Sequence, residues 1–170
     1  GGNVEKPDGE AVARCVNISC SAQLLGRIIH FASRNALNID GVGPAQIEQF
    51  IEKKLISDPA DLYSLKVDDI LPLDRMGEKL AANIISAIDA SRNTSLPRLI
   101  YGLGIRHVGE HVSLILANNF GSIDAIAQAD ESKLSNVDEI GPTIARSIKL
   151  FFADERNMKV ISKLKAVGID

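Results

Sequence analysis

Four short segments of this chain repeat one pattern: apolar residues around a turn, a closing glycine, then a helix start. They are Ile39-Asp40-Gly41-Val42-Gly43, Leu73-Asp74-Arg75-Met76-Gly77, Ile105-Arg106-His107-Val108-Gly109 and Val137-Asp138-Glu139-Ile140-Gly141. The closing glycines stand at 43, 77, 109 and 141, a spacing of 34, 32 and 32 residues. Pro44, Glu78, Glu110 and Pro142 follow them, and proline or an acid suits the first turn of a helix. A period in this range predicts a stacked array of helical units. The residues between the turns agree. Apolar positions recur at helical spacing in Leu24, Leu25, Ile28, Ile29 and Ala32, in Ile47, Phe50, Ile51 and Leu55, and in Leu80, Ile84, Ile85 and Ile88. They recur again in Val112 with Leu114–Leu116, in Ile144, Ile148, Phe151 and Phe152, and in Val160, Ile161 and Leu164. Asn35 or Asn38 suits the end of the first helix. No alternating strand pattern of useful length follows residue 22. The predicted class is all-α, a tandem array of four helix–hairpin units over residues 22–170.

Residues 1–21 differ. Gly1-Gly2-Asn3, Pro7-Asp8-Gly9 and the two cysteines read as turns with short extended pieces, and the segment is too poor in apolar mass for its own core. The chain starts without Met and reads as an excised piece of a longer protein. No signal peptide is visible, and no apolar run is long enough to span a bilayer. With only two cysteines, Cys15 and Cys20, the composition suggests a reducing, cytoplasmic setting rather than a disulfide scaffold. No long exposed apolar run asks for an oligomeric partner, so a monomer is expected.

The 170 residues carry 19 Lys and Arg against 22 Asp and Glu, a formal charge of −3. That excludes a polybasic arm as the functional feature. Aromatic residues make up 4%, without tryptophan, which argues against a stacking platform for single strands. Any nucleic-acid contact must be local. A glycine-lined helix start provides one. The first backbone N–H groups of a helix have no partners inside it, and the helix dipole favours an anion there. A phosphate at each turn would position a duplex without reading its sequence, and it needs no large excess of cations.

These residues resemble the helix-hairpin-helix motif: an apolar residue, any residue, Gly, an apolar residue, Gly. Ile39–Gly43 matches it fully. The other three place Arg75, His107 and Glu139 where the first glycine would be. The order of elements, with the runs His30–Ala36, Gly104–Glu110 and Cys20–Leu24, is similar over essentially the whole chain to the zinc-finger and helix-hairpin-helix region of bacterial NAD+-dependent DNA ligases. The resemblance implies a region that grips duplex DNA around a nick, largely through the minor groove, in replication and repair. NAD+ is used and the nick sealed by another domain of the parent, so the fragment alone should be inactive. It also implies a four-cysteine zinc site, with Cys15 and Cys20 as its second pair and residues 1–21 as part of a zinc-finger segment. Two thiolates cannot close a tetrahedral structural site, so zinc is expected in the intact parent and is weak or absent here.

Several other signals carry less. Lys6-Pro7-Asp8-Gly9 matches the nucleotidyl-lysine pattern of ligases, but Pro-Asp-Gly is turn chemistry and residues 1–21 cannot build a nucleotide pocket. Asn17-Ile18-Ser19 and Asn93-Thr94-Ser95 match the glycosylation pattern without meaning in an intracellular chain. His30, His107 and His111 form no metal-ligand cluster, and no catalytic constellation stands out. The expected DNA contacts are therefore Gly41, Gly43, Gly77, Gly109 and Gly141 with Arg75, Lys79, Arg106, His107, His111, Thr143, Arg146 and Lys149. The cations favour the second, third and fourth units. The first is left for packing or for contact with another part of the parent. Two rivals stand beside this reading: a helical protein-interaction module whose glycines are only turns, and a helix-hairpin-helix domain of another repair or recombination protein. The paired cysteines ahead of the array speak against the second rival.

Overall fold

The computed structural model describes residues 23–170, together with the backbone of Val4–Glu5 (β1) and Arg14–Cys15 (β2). These two short strands pair antiparallel, with Val4 opposite Cys15. The expectations for the Cys15 side chain, for Cys20 and for a zinc-finger segment over residues 1–21 lie outside the described residues.

From residue 23 onward every regular element is helical. In chain order they are α1 (Leu24–Ala32), α2 (Pro44–Glu52), a 3-10 turn (Pro59–Ser64), α3 (Val67–Ile70) and α4 (Glu78–Ala90). Then follow α5 (Leu96–Gly102), α6 (Glu110–Phe120), α7 (Ile123–Gln128), α8 (Glu131–Ser135), α9 (Pro142–Ala153) and α10 (Glu155–Ala166). The helices expected after the four glycines begin where the sequence places them, at Pro44, Glu78, Glu110 and Pro142. Each repeated segment is the turn of a helix–hairpin–helix unit, with α1, α3, α5 and α8 as the leading helices.

The four units are not an even array, because they associate in twos. Gln49 Nε2 on α2 donates to the carbonyl of Asp74 in the second hairpin at 3.5 Å, and a Cβ placed on Gly41 would lie 3.5 Å from Ile84 Cγ1 on α4. Likewise His111 on α6 reaches Glu139 in the fourth hairpin. One continuous core runs through both halves, from Ile28, Phe31, Ile47 and Phe50 to Leu116, Ile126 and Ile148. Burial of this order, at about 25 cal/mol per Å² of apolar surface, is the main favourable term for such a fold.

The halves are joined on two sides. On one, α1 meets α5: His30 Nε2 donates to the Tyr101 carbonyl at 2.7 Å, and Arg98 Nη1 donates to the carbonyls of Arg34 and Ala36. Gly102 is needed there for closeness, since a Cβ on it would lie 2.7 Å from Leu37 Cδ2. On the other side, α10 lies across both halves. Lys165 pairs with Asp124 on α7, while Lys163 Nζ lies 2.5 Å from Asp58 Oδ2 and 2.6 Å from Asp61 Oδ1 at the 3-10 turn. Arg92 fastens the C-terminal turn, donating to the Val167 carbonyl at 2.6 Å with its guanidinium 5.4 Å from the Tyr63 ring centre.

Two details depart from the sequence reading. The first helix stops at Ala32, short of Asn35, and Asn38 instead takes a left-handed conformation (φ 52°) in the connection. On α6 the buried face is Ser113 and Leu116, while Leu114 stays 48% exposed. Three consecutive apolar residues span about 200° of a helix, so they cannot all face one core.

Tyr63 adds a pH prediction. Its hydroxyl pairs with Ser91 Oγ at 2.7 Å, and burial pushes its pKa from 10.0 up to about 12 against the opposing effects of Ser91 and Arg92. Above pH 10 the unfolded chain loses this proton first, so folded stability must fall as pH rises from 10 to about 12. A tenfold difference in proton affinity between the folded and unfolded chain corresponds to about 1.4 kcal/mol. Denaturant melts across that range should show the decline, and Tyr63→Phe should flatten it.

Candidate nucleic-acid interface

The hairpin tips are conformationally alike although their residues are not. Gly41, Arg75, His107 and Glu139, each two residues before a closing glycine, all have left-handed backbone, with φ of 80°, 60°, 68° and 70°. In three hairpins the turn is closed by a backbone bond: Met76 N to Leu73 O at 3.2 Å, Val108 N to Ile105 O at 3.0 Å, and Ile140 N to Val137 O at 3.0 Å. A positive φ at the third residue of such a turn is the type II requirement, which glycine meets most cheaply. A residue with a Cβ costs about 1 kcal/mol more there. Loss of the first glycine in the second, third and fourth units has therefore not changed the hairpin. Three long polar side chains stand at tips where the backbone alone would select glycine.

The closing glycines have a different character. Gly43, Gly77, Gly109 and Gly141 have φ between −94° and −86° with extended ψ, a conformation open to any residue. A Cβ on Gly77, Gly109 or Gly141 would meet nothing within 4 Å. Nothing inside the fold requires glycine at these three places. Each is the N-cap of a helix, α4, α6 or α9, and none of the three helices has a side-chain cap bond. Three other helices have side-chain caps: Ser122 accepts from Ala125 N, Asp130 from Lys133 N, and Asp154 from Arg156 N; α1, α3 and α5 have none, but they do not start at a glycine. Gly77, Gly109 and Gly141 are exposed, and the first-turn N–H groups behind them have no side-chain cap, although Pro142 leaves the third start one N–H short.

At the first hairpin a side chain of the protein lies against the closing glycine. Gln46 folds back so that its Oε1 accepts the Gly43 N–H at 3.1 Å, and a Cβ on Gly43 would lie 3.2 Å from that same atom. Glutamine three residues after the cap is the second half of a capping box, and that spacing is the sequence signal for this contact.

The charged residues sort unevenly. Arg75 and Lys79 stand exposed at the second hairpin, and Thr143 and Arg146 at the fourth. Arg106 is half-buried and His107 exposed at the third tip. Lys149 is turned inward, its Nζ donating to the Ala127 carbonyl at 3.2 Å. His111 Nε2 lies 3.0 Å from Glu139 Oε2. The fourth tip also carries the exposed acids Asp138 and Glu139, so it is the most acidic of the four, a point that a count of cations alone overlooks. Among the described residues no group of His, Cys, Asp and Glu is arranged to hold a metal ion.

Comparison with known proteins agrees with this geometry. A SAM-like helix-hairpin-helix tandem model matches residues 33–90, which hold the first two hairpins. A helix-hairpin-helix motif model matches residues 98–161, which hold the last two. The DNA ligase of Halothermothrix orenii is 54% identical over 170 residues, covering 99% of this chain and 25% of that protein. The DNA ligase of Pelotomaculum thermopropionicum is 49% identical over 170 residues, 100% of this chain and 25% of its own length, and that of Geobacter metallireducens is 48% identical over the same shares. The chain thus spans about a quarter of the length of the relatives it matches. With two paired hairpin units and this identity along its whole length, the chain fits the helix-hairpin-helix region of a bacterial DNA ligase.

Proposed function

We propose that this region holds duplex DNA for a ligase by seating backbone phosphates on the open helix starts at Gly77, Gly109 and Gly141. The observation that carries this reading is the pairing of two facts at those three positions. No internal contact requires a glycine, and no side chain caps the helix behind it. A phosphate supplies the missing partner and explains the missing side chain, because only glycine lets a ligand's backbone approach so closely. Arg75, Lys79, Arg106 and Arg146 flank the seats and add positive charge, and His107 and Thr143 add polar groups, none of them reading bases. Such a grip is independent of sequence and suits a duplex held in register on both sides of a nick. In the parent, another domain joins the 3′ hydroxyl to the activated 5′ phosphate, drawing on NAD+; the present chain contributes position.

Zinc fits the resemblance but not the donor set of this chain. Its only thiols are Cys15 and Cys20, and a closed structural site takes four ligands.

The test is a fluorescence anisotropy titration with nicked and intact duplexes of one sequence and of a scrambled one. If about four phosphates are contacted, affinity should fall roughly a hundredfold between about 50 and about 200 mM salt. It should not change with sequence, and the nicked duplex should bind more tightly than the intact one. Binding that is absent at low salt, or that is indifferent to salt, overturns the reading and leaves the hairpins as structural turns.

A further inference from the structure

The contact between His111 and Glu139 joins two units through their hairpin faces. His111 is the second residue of α6, beside the open start at Gly109. Glu139 is the left-handed tip residue of the next hairpin. Their side chains are 69% and 62% exposed, and the ring nitrogen is 3.0 Å from the carboxylate. An ionised carboxylate can only accept, so the ring Nε2–H is the donor. Neither side chain is needed by the core. An exposed pair of this kind contributes little to folding. Glu139 nevertheless holds a backbone conformation that glycine would take at lower cost. A carboxylate oxygen and a phosphate oxygen offer a ring N–H the same acceptor.

We propose that Glu139 is an internal stand-in for a DNA phosphate: it engages His111 in the free protein and releases it to the phosphate seated at the third hairpin. The inference rests on the reading of the hairpins as phosphate seats and deepens it by giving His111 two successive partners. In the free protein, the Glu139 carboxylate keeps the ring turned toward the fourth hairpin. When a phosphate occupies the Gly109 seat, the ring N–H changes acceptor, and the Glu139 carboxylate returns to water. Binding then costs the loss of one exposed hydrogen-bonded pair, so Glu139 lowers DNA affinity through His111 and makes weak anions poor competitors.

The test is a double-mutant cycle on the 170-residue chain, with a nicked duplex as probe. Glu139→Gln should bind the duplex about three- to fivefold more tightly, the scale of one exposed pair. In a His111→Gln background the gain from the same change should shrink to the size that charge removal alone gives on this tip. Asp138→Asn removes a neighbouring acid from the same tip and serves as control for charge alone; its gain should be smaller and should persist in the His111→Gln background. Equal gains from Glu139→Gln with and without His111, or a loss of affinity in Glu139→Gln, overturn the proposal. A nitrogen NMR spectrum of the His111 ring is the second measurement. Without DNA, the Nε2 resonance should move on Glu139→Gln, and an unchanged resonance also overturns it. That spectrum needs no DNA, so it stands apart from the reading beneath: a chain that binds no duplex defeats the phosphate seats, while the ring spectrum reports whether the exchangeable contact exists.

Discussion

Gly109→Val should fold like the parent chain and bind duplex DNA at least tenfold more weakly. The two halves of this expectation come from different observations. Valine accepts the backbone found there, with φ −88° and extended ψ, and its Cβ would meet no atom of the protein within 4 Å. The change costs only the poorer capping preference of valine, about 1 kcal/mol. The phosphate seat, by contrast, loses its clear approach. Hydrogen bonds to a charged group contribute about 1.5–3 kcal/mol each, so displacing even one predicts a loss of roughly ten- to a hundredfold. The same holds for Gly77→Val and Gly141→Val. Gly109→Ser sharpens the test, because serine caps helices well. It should raise stability by a few tenths of a kcal/mol and still weaken binding, since its hydroxyl takes an N–H that the phosphate would use. Gly43→Val supplies the opposite contrast. Its Cβ would press on Gln46 Oε1, which already takes the Gly43 N–H, and few cations flank this hairpin, so it should lose stability with a smaller change in DNA affinity than the other three. Melting curves and anisotropy titrations on the five variants decide the matter. A Gly109→Val chain with unchanged affinity would show that the third hairpin does not seat a phosphate.

Much of this interface is legible in the sequence because punctuation residues act locally. Glycine before Pro44, Glu78, Glu110 and Pro142 marks four helix starts, and all four begin there. The leading helices are harder to see. α3 and α8 have four and five residues, too few for an apolar period to appear. The tip conformation is legible at Gly41 but hidden at Arg75, His107 and Glu139, whose residue types do not advertise a left-handed backbone. There the turn overrides local preference, and only the alignment of the four repeats points to it. The association of hairpins in twos rests on contacts such as Gln49 with Asp74 and His111 with Glu139, at separations of 25 and 28 residues. No local pattern encodes those. Counting charges misleads in one respect: it groups Lys149 with the outward cations, whereas its stem crosses to α7 and its ammonium takes the Ala127 carbonyl at the last turn of that helix.

Contacts made at long range produce the other large expected effect. Lys163→Met should destabilise the fold by about 2 kcal/mol, although the lysine is far from every hairpin tip in sequence and has 43% of its side chain exposed. The reason lies in what remains. Asp58 is only 10% exposed and caps the 3-10 turn through Asp61 N, and Asp61 is 21% exposed and binds Ser57. With Lys163 gone, two adjacent carboxylates face α10 with no cation between them. Burial raises the Asp61 pKa, but the Lys163 and Ser57 hydrogen bonds outweigh it, so the group titrates below its usual 3.8. Burial likewise opposes the charge on Lys163, and the two aspartates overcome it, raising its pKa above 10.5. The pH dependence follows from these signs. Asp61 contributes stability above about pH 3.8 that is lost as pH falls through its lower folded value, and Lys163 contributes stability below 10.5 that is lost as pH rises through its higher one. The gap between parent and variant should therefore be widest across the neutral range and close at both ends. At pH 7 the variant should melt about 4–8 °C lower, the usual scaling for a chain of this length. Lys163→Arg should restore most of the difference. A Lys163→Met chain that melts within about 1 °C of the parent at pH 7 would mean that α10 is held to the first half by apolar contact alone, through Val160, Ile161 and Leu164.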